Sequence, residues 1–217
     1  FDLSGVEIRI DTYLDKNIRP VQSQLLITGD NLIVQGLTVT QIGHYPPGIL
    51  HSNTMAQRGH SNLIKGVRLN TRGDKPYGYG GGLYEFNRSY KYKQNALKVT
   101  GRYNVYADVD IIHRGYGHAL FWQGAAWAEA DVDHTWIDCY IQGKSRLSDD
   151  ILSKTEGAFY HDMGSLSDDT VNQIKSELSA GGRVILCEDA FRSYGGGKEL
   201  KILGCTVEGV RSAIKRG

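Results

Sequence analysis

Short stretches in which apolar and polar residues alternate recur along this chain. Val6, Ile8 and Ile10 alternate with Glu7, Arg9 and Asp11, which places three apolar side chains on one face of a strand. The pattern returns in Asn31 to Gly43, Asn62 to Gly73 and Asn104 to Gly115, which superpose with one gap. Ile137 to Gly143 closes a fourth copy, and Cys205 to Gly209 is a shorter fifth. Each copy has an apolar-x-apolar strand followed closely by glycine.

The closing glycines are 30, 42, 28 and 66 residues apart. Similar strands joined by unequal loops predict an all-β fold, a right-handed parallel β-helix whose rungs stack while insertions leave through the turns. A single such domain over residues 1–217 is expected, starting at Phe1 without Met as a trimmed product would. Leu37, Val39, Val67, Leu69, Val109, Ile111, Ile137, Cys139, Cys205 and Val207 are expected to line the interior, one pair per rung. Asn31, Asn62 and Asn104 recur just before the strands, where asparagine tolerates a left-handed turn and ladders along a stack. A TIM barrel is disfavoured because helix-period segments are missing between most strands. One helix stands out in the longest interval. Ser167 caps it, Asp168 and Asp169 sit in its first turn, Val171, Ile174 and Leu178 form its apolar face, and Gly181 stops it.

Composition narrows the partners. With 25 basic against 24 acidic side chains, the chain is no generally basic nucleic-acid binder, so recognition falls to local patches. Thirteen tyrosines against 5 phenylalanines favour rings that lie half in water and stack on a polar ligand, as on a carbohydrate-binding surface. The three cysteines are odd in number and lack CxxC spacing, so they read as small buried hydrophobes. No run approaches the ~20 apolar residues of a membrane helix, and no signal peptide is recognised. A monomer with no membrane or nucleic-acid partner is expected.

Stacked rungs bring equivalent positions to about 4.8 Å from one another, so aligned copies assemble a site. Before the recurring glycine stand Ile42, Arg72, Arg114 and Gln142, and after it His44, Asp74, Tyr116 and Lys144. Two arginines in adjacent rungs repel unless an anion lies near, which makes the column a candidate carboxylate clamp. Arg72-Gly followed by Tyr77-Gly-Tyr79 parallels Arg114-Gly-Tyr116-Gly-His118 with three residues inserted, and Lys144 and Arg146 add cations one rung on. Such an edge suits an anionic sugar chain and β-elimination. Neutralising a uronate carboxylate stabilises the enolate-like transition state, while Tyr, His or Lys moves the protons.

The segments Tyr77-Gly-Tyr79, His113-Arg114-Gly-Tyr116-Gly-His118 through Gln123-Gly124, and Ile141-Gln-Gly-Lys144-Ser-Arg146 resemble the β-helical polysaccharide lyases of bacterial polysaccharide utilisation. The likeness is to alginate lyases of polysaccharide lyase family 31, over Leu25 to Arg211. It implies cleavage of a uronate polymer by β-elimination with a Tyr and Lys pair, best matched by Tyr116 and Lys144. Arg114 and His118 complete the candidate catalytic group. Arg72, Tyr77, Tyr79, Arg146, His113 and Gln123 are the candidate substrate contacts. The implied partner is an anionic polysaccharide and the implied location secreted or periplasmic, with no cofactor.

Other constellations compete less well. The histidines lack HxxxH spacing, so no metal site is expected. Asp108 with Asp110, and Asp131 with Asp133, read as solvated strand carboxylates before calcium ligands. Asp149 and Asp150 keep a glycoside hydrolase open, though they also fit a helix start. Glu188, Arg192 and Tyr194, beside a triglycine, read as a loop held by Glu–Arg pairing before a loop wall that closes over substrate. A noncatalytic carbohydrate-binding or adhesion module and a C5-epimerase are the remaining alternatives.

Overall fold

The computed structural model describes residues 1–11, 23–42, 51–71, 93–114, 117–123, 133–143, 145–147, 168, 169, 172, 176, 183–185, 187–194 and 200–216. The fold is nearly all β, and its main sheets are parallel. Six strands form the first sheet in the spatial order β1 (Glu7–Asp11), β4 (Thr38–Ile42), β7 (Arg68–Thr71), β10 (Asp110–His113), β13 (Tyr140–Gln142) and β18 (Thr206–Glu208). The second holds β2 (Ser23–Thr28), β5 (His51–Arg58), β8 (Lys93–Thr100), β11 (Leu120–Gln123), β16 (Cys187–Tyr194) and β19 (Val210–Arg216). The third holds β3 (Ile33–Gln35), β6 (Leu63–Lys65), β9 (Asn104–Ala107), β12 (His134–Ile137) and β17 (Leu200–Leu203). A short antiparallel pair, β14 (Ser145–Leu147) and β15 (Arg183–Ile185), stands apart, and the chain otherwise visits the three sheets in rotation. Asp168, Asp169, Asn172 and Ser176 are helical and exposed, within the stretch where the sequence places its helix.

One turn recurs unchanged. Between the third sheet and the first, Gly36, Gly66, Asp108, Asp138 and Gly204 all adopt a left-handed backbone, with φ of 76°, 60°, 52°, 52° and 64°. Glycine takes that conformation at no steric cost, and aspartate is among the few other residues that adopt it routinely. The next residue turns inward in each case: Leu37, Val67, Val109, Cys139 and Cys205 all join the core or pack against it. Two residues later Val39, Leu69, Ile111, Ile141 and Val207 do the same.

This register corrects the sequence alignment of the fourth copy. Asp110 pairs with Tyr140, so Cys139 and Ile141 continue the column of Val109 and Ile111. Ile137, expected in that column, instead ends β12 level with Ala107 and Leu203. Gly143 stacks on Gly209, two residues earlier than an alignment with Gly115 requires. A slip of two residues leaves every side chain on the same face, so the alternation alone gives no sign of it. Gly43, Gly73 and Gly115 lie outside the described residues.

The asparagines divide their expected roles. Asn31 is left-handed (φ 56°), as are Ser61 and Tyr103 in the same column. The ladder belongs to the next position, where Leu32 N–H donates to Asn62 Oδ1 (2.7 Å) and Asn62 N–H to Asn104 Oδ1 (2.9 Å). In the interior, Tyr106 stacks on Trp136 at 3.8 Å between ring centres, Phe191 meets Trp136 edge-on, and the Tyr106 hydroxyl donates to Gln57 Oε1 at 2.8 Å. Burial raises the Tyr106 pKa well above the ordinary tyrosine range, so this hydroxyl remains a donor.

Backbones approach closely where the second sheet turns toward the third. A Cβ on Gly101 (φ 130°) would stand 1.9 Å from Gly59 O, whereas one on Gly66 (φ 60°) meets nothing closer than 3.8 Å. Gly66→Ala is therefore expected to cost only the left-handed penalty of about 1–2 kcal/mol. Gly101→Ala adds a backbone collision, and its urea midpoint should fall clearly below that of Gly66→Ala. Equal midpoints would refute this account of rung packing.

Candidate functional site

Connections from the third sheet to the first are two residues long in every described rung, which leaves no room for insertion. Those from the first sheet to the second vary most, spanning residues 12–22, 43–50, 72–92, 114–119 and 143–186 and the single residue 209. By sequence, Arg72, Tyr77, Tyr79, Arg114, Tyr116, His118, Lys144 and Arg146 fall in these connections.

Arg72, Tyr77, Tyr79, Tyr116 and Lys144 lie outside the described residues. Arg114 is exposed just beyond β10, its N–H donating to Thr71 O at 2.8 Å. Arg146 sits in β14 opposite Val184, and Gln123 ends β11 level with Tyr194. His113 departs from its expected place, for it is wholly buried in register with Thr71. Beside Thr71 runs a chain of interior hydroxyl and amide groups, Thr54 Oγ1 bonding both Thr71 Oγ1 (2.9 Å) and Gln41 Oε1 (3.1 Å). In this conformation His113 has no surface with which to meet a substrate.

His118 is brought into a charged cluster. A ladder of Ser23, Asn53 and Asn95 crosses the second sheet, and Asn95 Oδ1 accepts from His118 N–H at 3.0 Å. Cross-strand bonds then fix the neighbouring rung, Glu188 N–H to Gly117 O (2.7 Å) and Ala119 N–H to Asp189 O (3.0 Å). The His118 ring is thereby held between two carboxylates. Nε2 lies 3.1 Å from Glu188 Oε2, and Nδ1 lies 3.3 Å from Asp189 Oδ2. Arg211 Nη2 completes the group with a 2.7 Å bond to Asp189 Oδ1. The side chains of Glu188 and Asp189 are essentially sealed from solvent, whereas Arg211 keeps 26% of its side-chain surface exposed.

Two adjacent carboxyls are pushed in opposite directions. Burial raises Glu188 to about 8, against the pull of Arg211 and with the repulsion of Asp189 adding to it. Burial acts on Asp189 too, but hydrogen bonds from His118 and Arg211, with their charges, outweigh it and hold the group at about 2. At neutral pH Asp189 carries the negative charge and Glu188 keeps its proton, the kind of separation that divides acid and base roles. His118 presents one ring nitrogen to each of the two carboxyl groups.

Glu188 and Asp189 lie outside the candidate catalytic group read from the sequence. Their signal was the interruption of an apolar run, Val184-Ile-Leu-Cys-Glu188-Asp189-Ala-Phe191, by two consecutive acids. The reading of Glu188, Arg192 and Tyr194 as loop residues is corrected, because all three belong to strand β16. The other reactive side chains are quiet. Burial pushes the Cys139 and Cys187 thiols up to about 12, and all three cysteines are free. Among the described residues no group of three His, Cys, Asp or Glu side chains is arranged to hold a metal ion.

The cluster predicts a pH dependence. Glu188 has a folded value near 8 against an ordinary 4.5, so between those values the folded state holds a proton that the unfolded chain releases. Stability falls as pH rises through this window. Asp189 acts oppositely, its contribution present above pH 3.8 and lost as pH falls toward 2. His134, lowered to about 4 by burial, adds a loss of stability as pH drops from 6.5 toward 4. The Glu188→Gln variant should therefore gain on the parent as pH rises from 5 to 8, a comparison in which the His134 effect cancels. Urea unfolding at several pH values tests this, and a constant difference between the two proteins would show that Glu188 is already ionised when folded.

No family model and no curated protein matches this chain, so its functional reading rests on residues and geometry.

Proposed function

We propose that this chain is a right-handed parallel β-helix that binds an anionic, uronate-containing polysaccharide of alginate type and cleaves it by β-elimination. The observation that supports the reading is the rotation of the chain through three parallel sheets, with its longest connections running from the first sheet to the second. Parallel crossovers are right-handed in nearly all proteins, which supplies the hand. Arg114 is exposed at the start of one of these connections, and Arg72, Tyr116 and Lys144 belong to the same set of connections by sequence. Arg114 and Arg72 neutralise the uronate carboxylate, Tyr116 moves the α-proton, and Lys144 stabilises the developing charge or protonates the leaving oxygen. His118 is held between Glu188 and Asp189. The protein acts outside the cytoplasm as a monomer and uses no cofactor.

A noncatalytic binding module is the second reading, favoured by the outer face of the first sheet. There Thr40 donates to Glu7, Asn70 to Thr40 and Arg68 to Asp110, while Tyr140 and Gln142 both donate to Glu208. Such a flat ladder of polar groups suits a sugar chain without any need to break it.

Incubation with alginate, pectate and glycosaminoglycans, followed by absorbance of unsaturated uronates, separates the two readings. Cleavage of at least one polymer is expected. Tyr116→Phe should lower turnover by ~10²–10⁴-fold with little loss of binding, and Arg114→Ala should weaken both. Parent-like turnover in Tyr116→Phe removes that assignment. A parent protein that binds every uronate chain and cleaves none is the binding module.

A further inference from the structure

Cys139 and Cys205 stand level in neighbouring rungs. Tyr140 pairs with Thr206, and Thr206 N–H donates to Cys139 O at 2.9 Å, so the two cysteines, each one residue earlier, occupy one column. Each follows a left-handed residue, Asp138 or Gly204, and each turns toward the core. Stacking sets their Cα atoms about 4.8 Å apart with parallel Cβ directions, inside the roughly 4.4–6.8 Å that a disulfide spans. The side chains already meet. Cys139 N–H donates to Cys205 Sγ at 3.4 Å, and the Cys139 thiol, pushed up chiefly by burial, is raised further by the Cys205 thiol. Cys139 Sγ otherwise makes only long bonds, to Ile137 O (3.3 Å) and Tyr106 O (3.6 Å), which a χ1 rotation toward Cys205 gives up. The two thiols differ in access. Cys139 is buried, whereas Cys205 is half-buried just ahead of β18, the outermost strand of the first sheet.

We infer that Cys139 and Cys205 are an oxidation site, joined into a disulfide by a small-molecule disulfide such as oxidised glutathione, which staples the last rung to its neighbour. Cys205 loses its proton and its sulfur attacks one sulfur of the oxidant, breaking the oxidant's S–S bond and releasing one thiol. Cys139 then loses its proton, attacks the Cys205 sulfur and releases the second thiol. The oxidant gains two electrons, the cysteine pair loses two, and both protons leave on the released thiols. Burial of Cys139 makes the second step the slow one, because only the thiolate attacks. The bridged residues are 66 apart, and the loop between them contains the 143–186 connection, so the bridge removes much of the unfolded chain's freedom. The last rung has a neighbour on one side only, and a staple there acts where the stack frays first. Neither step depends on a polysaccharide or on its cleavage.

The test incubates the whole folded chain for hours with excess oxidised glutathione at about pH 8, then counts thiols in denaturant and maps linked peptides by mass spectrometry. One thiol per chain should remain, that of Cys187, which is wholly buried in the second sheet, with Cys139 and Cys205 linked to each other. The oxidised chain should unfold at a urea midpoint about 1–2 M above the reduced chain, and a reductant should reverse the shift. Cys205→Ser should keep two thiols and show no shift. If that variant does not fold, the parent's own peptide map decides. Three thiols left in the parent, glutathione retained on Cys205, or a bridge to Cys187 or between chains overturns the site. A Cys139 to Cys205 bridge that leaves the midpoint unchanged or lowers it overturns the staple.

Discussion

Everything in this structure depends on a backbone that must enter the left-handed region once per rung. The turn from the third sheet to the first spans two residues, and its leading residue has φ between 52° and 76° in five successive rungs. With so short a connection, the residue after the turn can only point inward, and the apolar columns from Leu37 and Val39 onward follow from that. Hydrogen bonds run along the same line, Gly36 N–H to Lys65 O, Gly66 N–H to Ala107 O and Asp108 N–H to Ile137 O. The turn fixes phase, and the sheets inherit it.

The interior so formed is not purely apolar, and its polar groups are ordered by the same stacking. Asn62 and Asn104 accept from backbone donors of the preceding rung, while on the second sheet Asn95 donates to Asn53 side chain to side chain and accepts from the backbone N–H of His118. Buried amides cost little when every rung offers its neighbour a partner. His118, Glu188, Asp189 and Arg211 extend this logic to charge. One acid is held ionised by donors and the other is kept neutral by burial, so a cluster of four titratable groups sits beside a hydrophobic core with its charges divided rather than crowded.

Much of the fold was legible because apolar alternation and recurrent glycines report stacking directly. The glycine after each strand does not mark the register, however, because the invariant feature precedes the strand. Gly36, Gly66, Asp108, Asp138 and Gly204 mark the true register, and recognising that Asp substitutes for Gly in a left-handed turn would have placed Cys139 and Ile141 correctly. The site was less legible. His118 was selected for its residue type and lies in a charged cluster, but its partners come from a strand some seventy residues further on, a separation no local motif announces. His113, in the same run, is internal because it lies two residues after Ile111 in β10 and so shares its inward face.

The division between a fixed turn and variable connections has a thermodynamic side. Closing a flexible loop costs entropy that grows only with the logarithm of its length, about 0.6 kcal/mol for each doubling. Stacked partners in this chain are 30, 42 or 66 residues apart, as their hydrogen bonds show. The longest excursion is therefore only about one doubling beyond the shortest, a penalty smaller than that of losing one buried methylene. A fold in which register is set at one corner can lengthen or replace the chain at another almost without consequence for its stability, and the edge that carries Arg114 is free to change chemistry while the stack beneath it stays the same.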